Sequence, residues 1–278
     1  MSAMITDIGA HNIDNAGVLR YNKYIKRKRN YSMVEINKQS FTSSLNKVFG
    51  ANKLSAMLSP ETLDKFYRLT VRMLEENEKF NLTAITDPDK IILNHYADCC
   101  AMAAYLKKGA SVIDVGCGAG FPSLPLAIVR PDLKILAVDS TAKRVNYVAD
   151  TAQMLGLSNL TASVMRAEDG GKNPEYREKF DYATARAVAE MRVLAELTLP
   201  FVKLSGQLVA MKGKNAEFEL TGAKKAIATL GGRGATVEMI NLKGEGETLT
   251  HPLIIIDKKE RTPSSFPRPF AQISKKPL

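Results

Sequence analysis

From residue 111 onward the sequence alternates between short apolar runs and longer amphipathic runs. The apolar runs predict strands at residues 111–115, 134–139, 160–165, 180–185 and 206–211. The segments between them predict helices at residues 121–129, 141–155, 191–199 and 215–230. Such alternation favours a parallel sheet covered by helices on both faces. The last two predicted strands, 235–242 and 252–257, have no helix between them, which predicts an antiparallel hairpin at one edge.

The part of the chain before residue 106 has a different pattern. Residues 39–105 are predicted to be helical, because Ser59-Pro60-Glu61 and Asp87-Pro88-Asp89 each join an N-cap residue, a proline and an acid. Residues 1–38 are polar and carry a basic cluster without apolar periodicity, so we expect a flexible basic arm with no strand. The predicted organisation is an arm at 1–38, a helical lobe at 39–105 and an α/β domain with a basic C-terminal segment at 106–278. Met33 is an alternative start that the sequence leaves open.

Positive charge is concentrated at the two ends of the chain. The 278 residues include 39 Lys and Arg against 29 Asp and Glu, a formal charge of +10. Residues 1–38 hold seven basic and three acidic side chains, and residues 257–278 hold six basic and two acidic, so each end carries +4. Basic ends favour a polyanionic partner such as nucleic acid or an anionic membrane surface, although solvated tails have the same composition.

Cysteine usage and hydropathy indicate the compartment. Cys99, Cys100 and Cys117 fit neither a disulfide framework nor a zinc spacing, so we expect a reducing compartment and no metal. The sequence has no run of 18 apolar residues and no basic cluster followed by an apolar leader. We therefore expect a cytoplasmic protein that does not span a membrane.

The turn after the strand at 111–115 is rich in glycine. It reads Asp114-Val115-Gly116-Cys117-Gly118-Ala119-Gly120. Ligands of open α/β sheets bind outside the carboxyl ends of the strands, and glycines there let the backbone approach a ligand closely. The spacing is G-x-G-x-G, whereas the dinucleotide fingerprint is G-x-G-x-x-G. A plain strand–turn–helix junction is the alternative interpretation.

Acidic residues end the next two strands. Asp139 ends the second strand of the alternating region, where a carboxylate can accept hydrogen bonds from ribose hydroxyls. Ala167 and Glu168 follow the third strand, where they can contact an adenine. Together with Asp114 and the glycines, these residues describe a pocket for S-adenosylmethionine (AdoMet) of the class I methyltransferase type.

The stretch DVGCGAGFPSLPLAIVRP at residues 114–131 resembles the family that methylates guanine N7 in bacterial small-subunit ribosomal RNA. Agreement continues at residues 79–86, 94–99, 138–148, 166–169, 180–191, 210–213 and 261–269. The resemblance covers about residues 40–278 and does not include the arm. It implies the class I AdoMet-dependent methyltransferase fold: a Rossmann-like, mostly parallel seven-stranded sheet with an antiparallel edge strand, preceded by a small helical lobe.

The resemblance also implies site residues and partners. The residues implied to contact AdoMet are Gly116, Phe121, Ala167, Glu168 and Arg186. The implied substrate is a guanine of 16S ribosomal RNA, at position 527 in the 530 loop, in naked RNA or in the small ribosomal subunit; we expect a monomer. Two positions depart from the family pattern, Cys117 where Ser or Thr is usual and Ser123 where Gly is usual. Both side chains are small, so we expect an altered pocket that keeps its activity.

Residues that other methyl transfers need are missing from the expected places. No cysteine lies near the fourth or fifth predicted strand end, and the loop after the fourth strand begins TARAVAE instead of an Asn/Asp-Pro-Pro-aromatic motif. Guanine N7 carries a lone pair and no proton, so its methylation needs in-line placement without a general base. We therefore expect no catalytic acid or base, and we interpret His95 as a residue of a helix face.

Six basic residues are candidates for RNA contact. Arg186 and Lys212 follow the fourth and fifth strands and could meet RNA phosphate or the methionine carboxylate, or remain solvated. The basic candidates of the C-terminal segment are Arg261, Arg268, Lys275 and Lys276. We expect them to neutralise phosphates.

Three other functions remain open at this point. A nicotinamide oxidoreductase shares the sheet and the use of an acid such as Asp139. A methyltransferase with a protein or small-molecule substrate shares the pocket. A catalytically inactive RNA-binding or assembly factor would keep the fold and the basic ends.

Overall fold

The computed structural model describes residues 18–23 and 32–278, with side chains from residue 36 on. The strands are β1 (Val18–Lys23), β2 (Ser32–Asn37), β3 (Ser111–Val115), β4 (Lys134–Asp139), β5 (Leu160–Val164), β6 (Phe180–Arg186), β7 (Val202–Met211), β8 (Gly232–Lys243) and β9 (Thr248–Lys258). The helices are α1 (Lys38–Ala51), α2 (Pro60–Lys79), α3 (Pro88–Ile91), α4 (Asp98–Ala101), α5 (Ser123–Val129), α6 (Ala142–Met154), α7 (Ala167–Gly170), α8 (Met191–Thr198), α9 (Ala216–Thr229) and α10 (Phe270–Lys275). None of the helices in these described ranges is long and apolar enough to cross a membrane.

Seven of the strands form one sheet in the order β5-β4-β3-β6-β7-β9-β8. The neighbours from β5 to β7 pair in parallel, and β9 pairs antiparallel with both β7 and β8. This is the mostly parallel sheet that the alternating pattern predicts. The chain reverses between β8 and β9, so the antiparallel strand is β9, one position in from the edge.

Each face of the sheet is covered by a different set of helices. Successive side chains of a strand point to opposite faces, so Val112 and Ile113 of β3 belong to different hydrophobic clusters. Val112 packs with the N-terminal helices and with α5 and α6, whereas Ile113 packs with α8 and α9. The parallel strands are therefore buried on both faces, which explains their nearly continuous apolar sequence.

The N-terminal helices begin where the sequence predicts. Ser59 caps α2 by accepting a hydrogen bond from the backbone N–H of Thr62, whose hydroxyl accepts one from the N–H of Ser59. The segment from Pro88 is less regular than predicted, because a π-helical turn at Ile92–Ala97 lies between α3 and α4. These helices share one hydrophobic cluster with the sheet, so they pack directly against one of its faces.

The N-terminal segment differs from the prediction that it contains no strand. Val18–Lys23 and Ser32–Asn37 pair as antiparallel strands in a separate two-stranded sheet. The apolar alternation in Ser32–Asn37 is very short. Such a pattern does not distinguish a strand from a polar arm unless the pairing partner is known. Lys38, the last residue of the predicted arm, begins α1, and residues 1–17 and 24–31 lie outside the described residues.

Candidate AdoMet site

The glycine-rich turn is held in place by the end of β4. The backbone N–H groups of Gly116 and Cys117 donate hydrogen bonds to the carbonyl oxygen of Val138, at 2.8 and 3.0 Å. The N–H of Gly118 donates to Oδ2 of Asp139 at 3.1 Å. The turn thus joins the carboxyl ends of two neighbouring strands, the place where the sequence predicts a ligand.

All three predicted glycines have positive φ, at +76° for Gly116, +54° for Gly118 and +83° for Gly120. This left-handed region is strained for other residues. A Cβ at Gly116 would lie 2.8 Å from the side chain of Val188, and one at Gly120 would lie 2.4 Å from that of Leu124. Gly116 therefore keeps open the space beside Val188, while Gly120 allows the turn to pack on α5.

A cavity of about 300 Å³ opens in front of this turn, at the carboxyl ends of β3, β4 and β5. Four of the predicted cofactor residues line it: Gly116, Asp139, Ala167 and Glu168. Asp139 is mostly buried, and its carboxylate accepts hydrogen bonds from the N–H of Gly118 and of Thr141. An anionic acceptor therefore stands at one wall of the cavity.

Asp114 lies below the cavity, in full burial. Its Oδ2 accepts hydrogen bonds from the backbone N–H and the hydroxyl of Ser123. Burial raises the pKa of Asp114 to about 6, against the lowering effect of these hydrogen bonds. Ser123 thus gives this carboxylate two donors, and Asp114 ties the end of β3 to the start of α5 without lining the cavity.

Phe121 and Arg186 lie together beside the cavity and not along its walls. The Phe121 ring stacks on His95, with ring centroids 4.4 Å apart, and the Arg186 guanidinium lies 5.2 Å from the centre of the Phe121 ring. Ala187 and Val188 follow Arg186 directly and do line the cavity. The two predicted residues therefore flank the cavity from the side of the N-terminal helices.

Hydrogen bonds fix Arg186 in this cluster. Its guanidinium donates to the carbonyl oxygen of Asn94 at 2.9 Å and to Nδ1 of His95 at 2.8 Å, and it lies 3.3 Å from Oδ2 of Asp98. Nδ1 of His251 lies 3.2 Å from the other oxygen of Asp98. The π-helical turn at Ile92–Ala97 carries Asn94 and His95 into this position.

His95 is buried and engaged at both ring nitrogens. Nδ1 lies 2.8 Å from the Arg186 guanidinium and 3.1 Å from the carbonyl oxygen of Asn94, and Nε2 lies 3.1 Å from the hydroxyl oxygen of Thr83. Burial, and then the charge of Arg186, lower the pKa of His95 to about 4. This agrees with the interpretation of His95 as a satisfied helix residue, and the ring is neutral at neutral pH.

The predicted RNA-binding residues fall into two groups. Lys212 is buried, with its ammonium bound to the carbonyl oxygen of Ala189 and to Glu219, each at 2.6 Å. Arg268 is largely enclosed by its ion pair with Glu196. The exposed residues are Arg261, Lys275 and Lys276. Of the six candidates, only these three are solvent-exposed, and Arg261 also pairs with Glu178 at 3.1 Å.

Several cavity residues belong to no motif that the sequence shows. Val188 enters from the loop after β6, Leu197 from α8, Arg144 from α6 and Phe270 from the C-terminal segment. An arginine one turn into the helix after an acidic strand end is a weak hint at Arg144. Phe270 lies more than 100 residues from the other cavity residues except Ala187, Val188 and Leu197, and only the fold brings it there. Within the described residues, no group of three or more His, Cys, Asp or Glu side chains could hold a metal ion.

Comparison with known proteins connects this site to a family. The family model described as rRNA small subunit methyltransferase G, GidB, matches residues 62–248. A protein of that name from Clostridium perfringens is 45% identical over 216 residues, which covers 77% of this chain and 90% of the relative. Another from Leuconostoc citreum is 42% identical over 244 residues, which covers 86% of this chain and 98% of the relative.

Among solved structures, a SAM-dependent O-methyltransferase from Thermotoga maritima aligns with 68% of this chain and 72% of its own, at 17% identity and a TM-score of 0.48. This similarity is too distant to support the assignment of the chain to a family. The sequence relatives are close and nearly full-length, and the matched range contains the glycine turn, Asp139 and Glu168. The chain therefore belongs to the rRNA small subunit methyltransferase G family.

Proposed function

We propose that this protein transfers the methyl group of AdoMet to N7 of a guanine in bacterial 16S ribosomal RNA. The observation that carries the proposal is the cavity at the carboxyl ends of β3, β4 and β5, bounded by the Gly116 turn and the Asp139 carboxylate. This is where a nucleoside cosubstrate binds in an open α/β sheet.

The residues of the cavity fit AdoMet. Each oxygen of Asp139 accepts one backbone N–H, from Gly118 or Thr141, and keeps a lone pair for a further donor. These free positions suit the two ribose hydroxyls. Ala167 and Glu168 form the wall beyond Asp139 and suit the adenine, and the open backbone at Gly116 suits the methionine end.

Phe121 and Arg186 form the boundary between this cavity and the N-terminal helices. Their mutual contact and the hydrogen bonds of Arg186 to Asn94 and His95 hold both side chains in one arrangement. We place the target guanine on this side, where the bound AdoMet supplies an electrophilic methyl group. The fixed side chains exclude water and hold the base in line with that methyl group.

The protonation states around the site agree with an acceptor that needs no base. The pKa of His95 is lowered to about 4, and its Nδ1 lies 2.8 Å from the Arg186 guanidinium, so this buried ring is poorly suited to take a proton from a substrate. The buried Asp114 is bonded to Ser123 through Oδ2 and does not line the cavity. Guanine N7 carries no proton, so the transfer requires orientation alone.

The test is to map methylated bases after incubating the purified protein with AdoMet and either 16S ribosomal RNA or small subunits from cells that lack this gene. We expect 7-methylguanosine at one guanine, measured by mass spectrometry of nuclease fragments. Asp139→Ala should abolish most of the product, whereas Asp150→Ala, on the exposed side of α6, should not. Methylation at an amine, a ribose or a protein would overturn the N7 assignment.

Calorimetric titration separates the remaining alternatives. An oxidoreductase would bind a nicotinamide dinucleotide and not AdoMet. An inactive assembly factor would bind the small subunit and leave no methyl group on it, even with AdoMet saturating. Binding of AdoMet together with methyl transfer to guanine is expected.

A further inference from the structure

The C-terminal segment, residues 259–278, returns to the cavity at which we place AdoMet. It follows β9 at the far side of the sheet, beyond the range that the family model matches. Its helix α10 packs on α8, and Phe270 at the start of α10 lines the cavity together with Leu197 of α8. The segment thus supplies one wall of a site whose other walls come from strand ends.

A buried ion pair anchors the segment beside this wall. Glu196 of α8 is 0% exposed, and its carboxylate accepts bidentate hydrogen bonds from the Arg268 guanidinium at 2.9 and 2.6 Å. The backbone N–H of Arg268 adds a third bond at 2.8 Å. Charge-assisted bidentate pairs have a defined geometry, so this pair fixes the chain two residues before Phe270.

Two further contacts fix the segment on either side of Arg268. Upstream, the Arg177 guanidinium donates to the carbonyl oxygens of Thr262, Pro263 and Phe266. Downstream, Ile273 is fully buried in a small cluster with Val193 and Leu197, against which Ala167 also packs. Phe270 lies between these anchors, so its position does not depend on a loose chain end.

Phe270 is 45% exposed although its neighbours are anchored. It lines the cavity together with the apolar side chains of Leu197, Met165 and Ala167. An exposed aromatic face next to apolar side chains suits a flat aromatic ligand, because stacking covers both surfaces. The carboxylate of Glu168 at the same wall can accept a hydrogen bond from an exocyclic amine.

We propose that Phe270 forms the adenine wall of the AdoMet site and that the C-terminal segment is a component of cosubstrate binding. The proposal rests on the proposed function, because it takes the cavity to be the AdoMet site. The ring stacks on the adenine base, and the Arg268–Glu196 pair holds it there. Phe270 acts on binding and takes no part in the methyl transfer.

The experiment compares Phe270→Ala with Phe270→Tyr and with Phe218→Ala, which removes an 83% exposed ring from α9. Dissociation constants are measured by calorimetry for AdoMet, S-adenosylhomocysteine and 5′-methylthioadenosine. We expect Phe270→Ala to weaken all three ligands about tenfold, the scale of an aromatic–base stack. Phe270→Tyr keeps the ring, so it should bind within about twofold of the parent, and Phe218→Ala should bind like the parent.

The outcomes separate the two proposals. If the parent protein does not bind AdoMet, the proposed function fails. If the parent binds and Phe270→Ala binds equally well, only the adenine wall fails. A loss for AdoMet that 5′-methylthioadenosine does not share would place Phe270 at the methionine end and overturn the adenine assignment. Thermal melting of the ligand-free variants checks that the loss is not one of folding.

Discussion

Asp139 is the single residue on which cosubstrate binding most depends at the ribose. Replacing it with alanine removes two acceptors in a mostly buried wall, which should weaken AdoMet binding by about 1–3 kcal/mol. Calorimetric titration of Asp139→Ala against Asp150→Ala measures this. Gly116→Val should also lose AdoMet, but through strain at φ +76° and a collision with Val188, so its stability must be compared as well. Unchanged AdoMet affinity in both Asp139→Ala and Gly116→Val would contradict the pocket assignment.

The low pKa of His95 leads to a prediction about the pH dependence of the reaction. Its pKa is lowered to about 4 from the ordinary 6.5, so the ring stays neutral through the neutral range. The rate of the chemical step should therefore be flat from about pH 6 to 9, since no group there needs to lose a proton. Single-turnover methyl transfer measures this rate. A steep rise with a midpoint near 7 that His95→Asn abolishes would reveal a general base and a different target atom.

Asp114 contributes a pH-dependent term to folding. Its pKa is raised from 3.8 to about 6 in the folded state, so its stabilising effect is full below the unfolded value and is lost as the pH rises through about 6. The free energy of unfolding of the parent, relative to Asp114→Asn, should thus fall by about 1–3 kcal/mol between pH 4 and 7. Urea unfolding at several pH values measures the difference.

Ser123→Ala offers a second check on Asp114. Without the serine hydroxyl the carboxylate loses a donor, so its pKa should rise further and the same loss of stability should extend to higher pH. If neither substitution changes the pH dependence of unfolding, Asp114 does not titrate in this range.

At the level of elements, a buried ion pair anchors the C-terminal segment to α8. Arg268→Ala leaves the fully buried Glu196 carboxylate without its partner, which should cost about 3–5 kcal/mol of unfolding free energy. Arg261→Ala is the matched control. The Arg261 side chain is 78% exposed, so loss of its ion pair with Glu178 should cost no more than about 1 kcal/mol of unfolding free energy. Both are measured by urea unfolding. Equal effects would mean that the segment is not anchored at Arg268.

Two of the positive charges at the basic end, residues 257–278, are not available to a ligand. Lys258 is fully buried, with its ammonium bonded to the carbonyl oxygens of Leu199 and Leu230 and to the hydroxyl of Thr262, and Arg268 is bound to Glu196. These two positive charges hold the chain and are not free for phosphates. Charge counted along the sequence therefore overstates the charge that the surface presents.

At the level of the whole molecule, we predict salt-dependent RNA binding through the solvated lysines of this segment. Replacing Lys275 and Lys276 by glutamine should reduce the slope of log affinity against log salt by about 1.5, because each phosphate contact contributes roughly 0.7–0.9. The same replacement at Lys224 and Lys225, which are exposed on α9, is the control. Affinity is measured by filter binding from low to moderate salt. A slope near zero in the parent would contradict electrostatic binding, and AdoMet affinity should not change.

The fold was largely predictable because its signals are local. The strands at 111–115 and 134–139 and the capped start of α2 at Ser59 need only neighbouring residues to be recognised, and the structure confirms them. The π-helical turn at Ile92–Ala97 and the pairing of Val18–Lys23 with Ser32–Asn37 were missed. A π turn has no distinctive apolar spacing, and a short strand is defined by a partner that the local sequence does not reveal.

The sequence by itself determined the sheet, the glycine turn and the two acids at its strand ends, because these depend on residue types at fixed spacing along one stretch of chain. The tertiary structure decided which side chains share a space. It separated Phe121 and Arg186 from the cavity walls, enclosed Lys212 and Arg268 in ion pairs, and brought Phe270 to Ala167. Contacts between residues distant in the sequence form only when helices pack, because hydrophobic burial and buried hydrogen bonds, and not local spacing, select their partners.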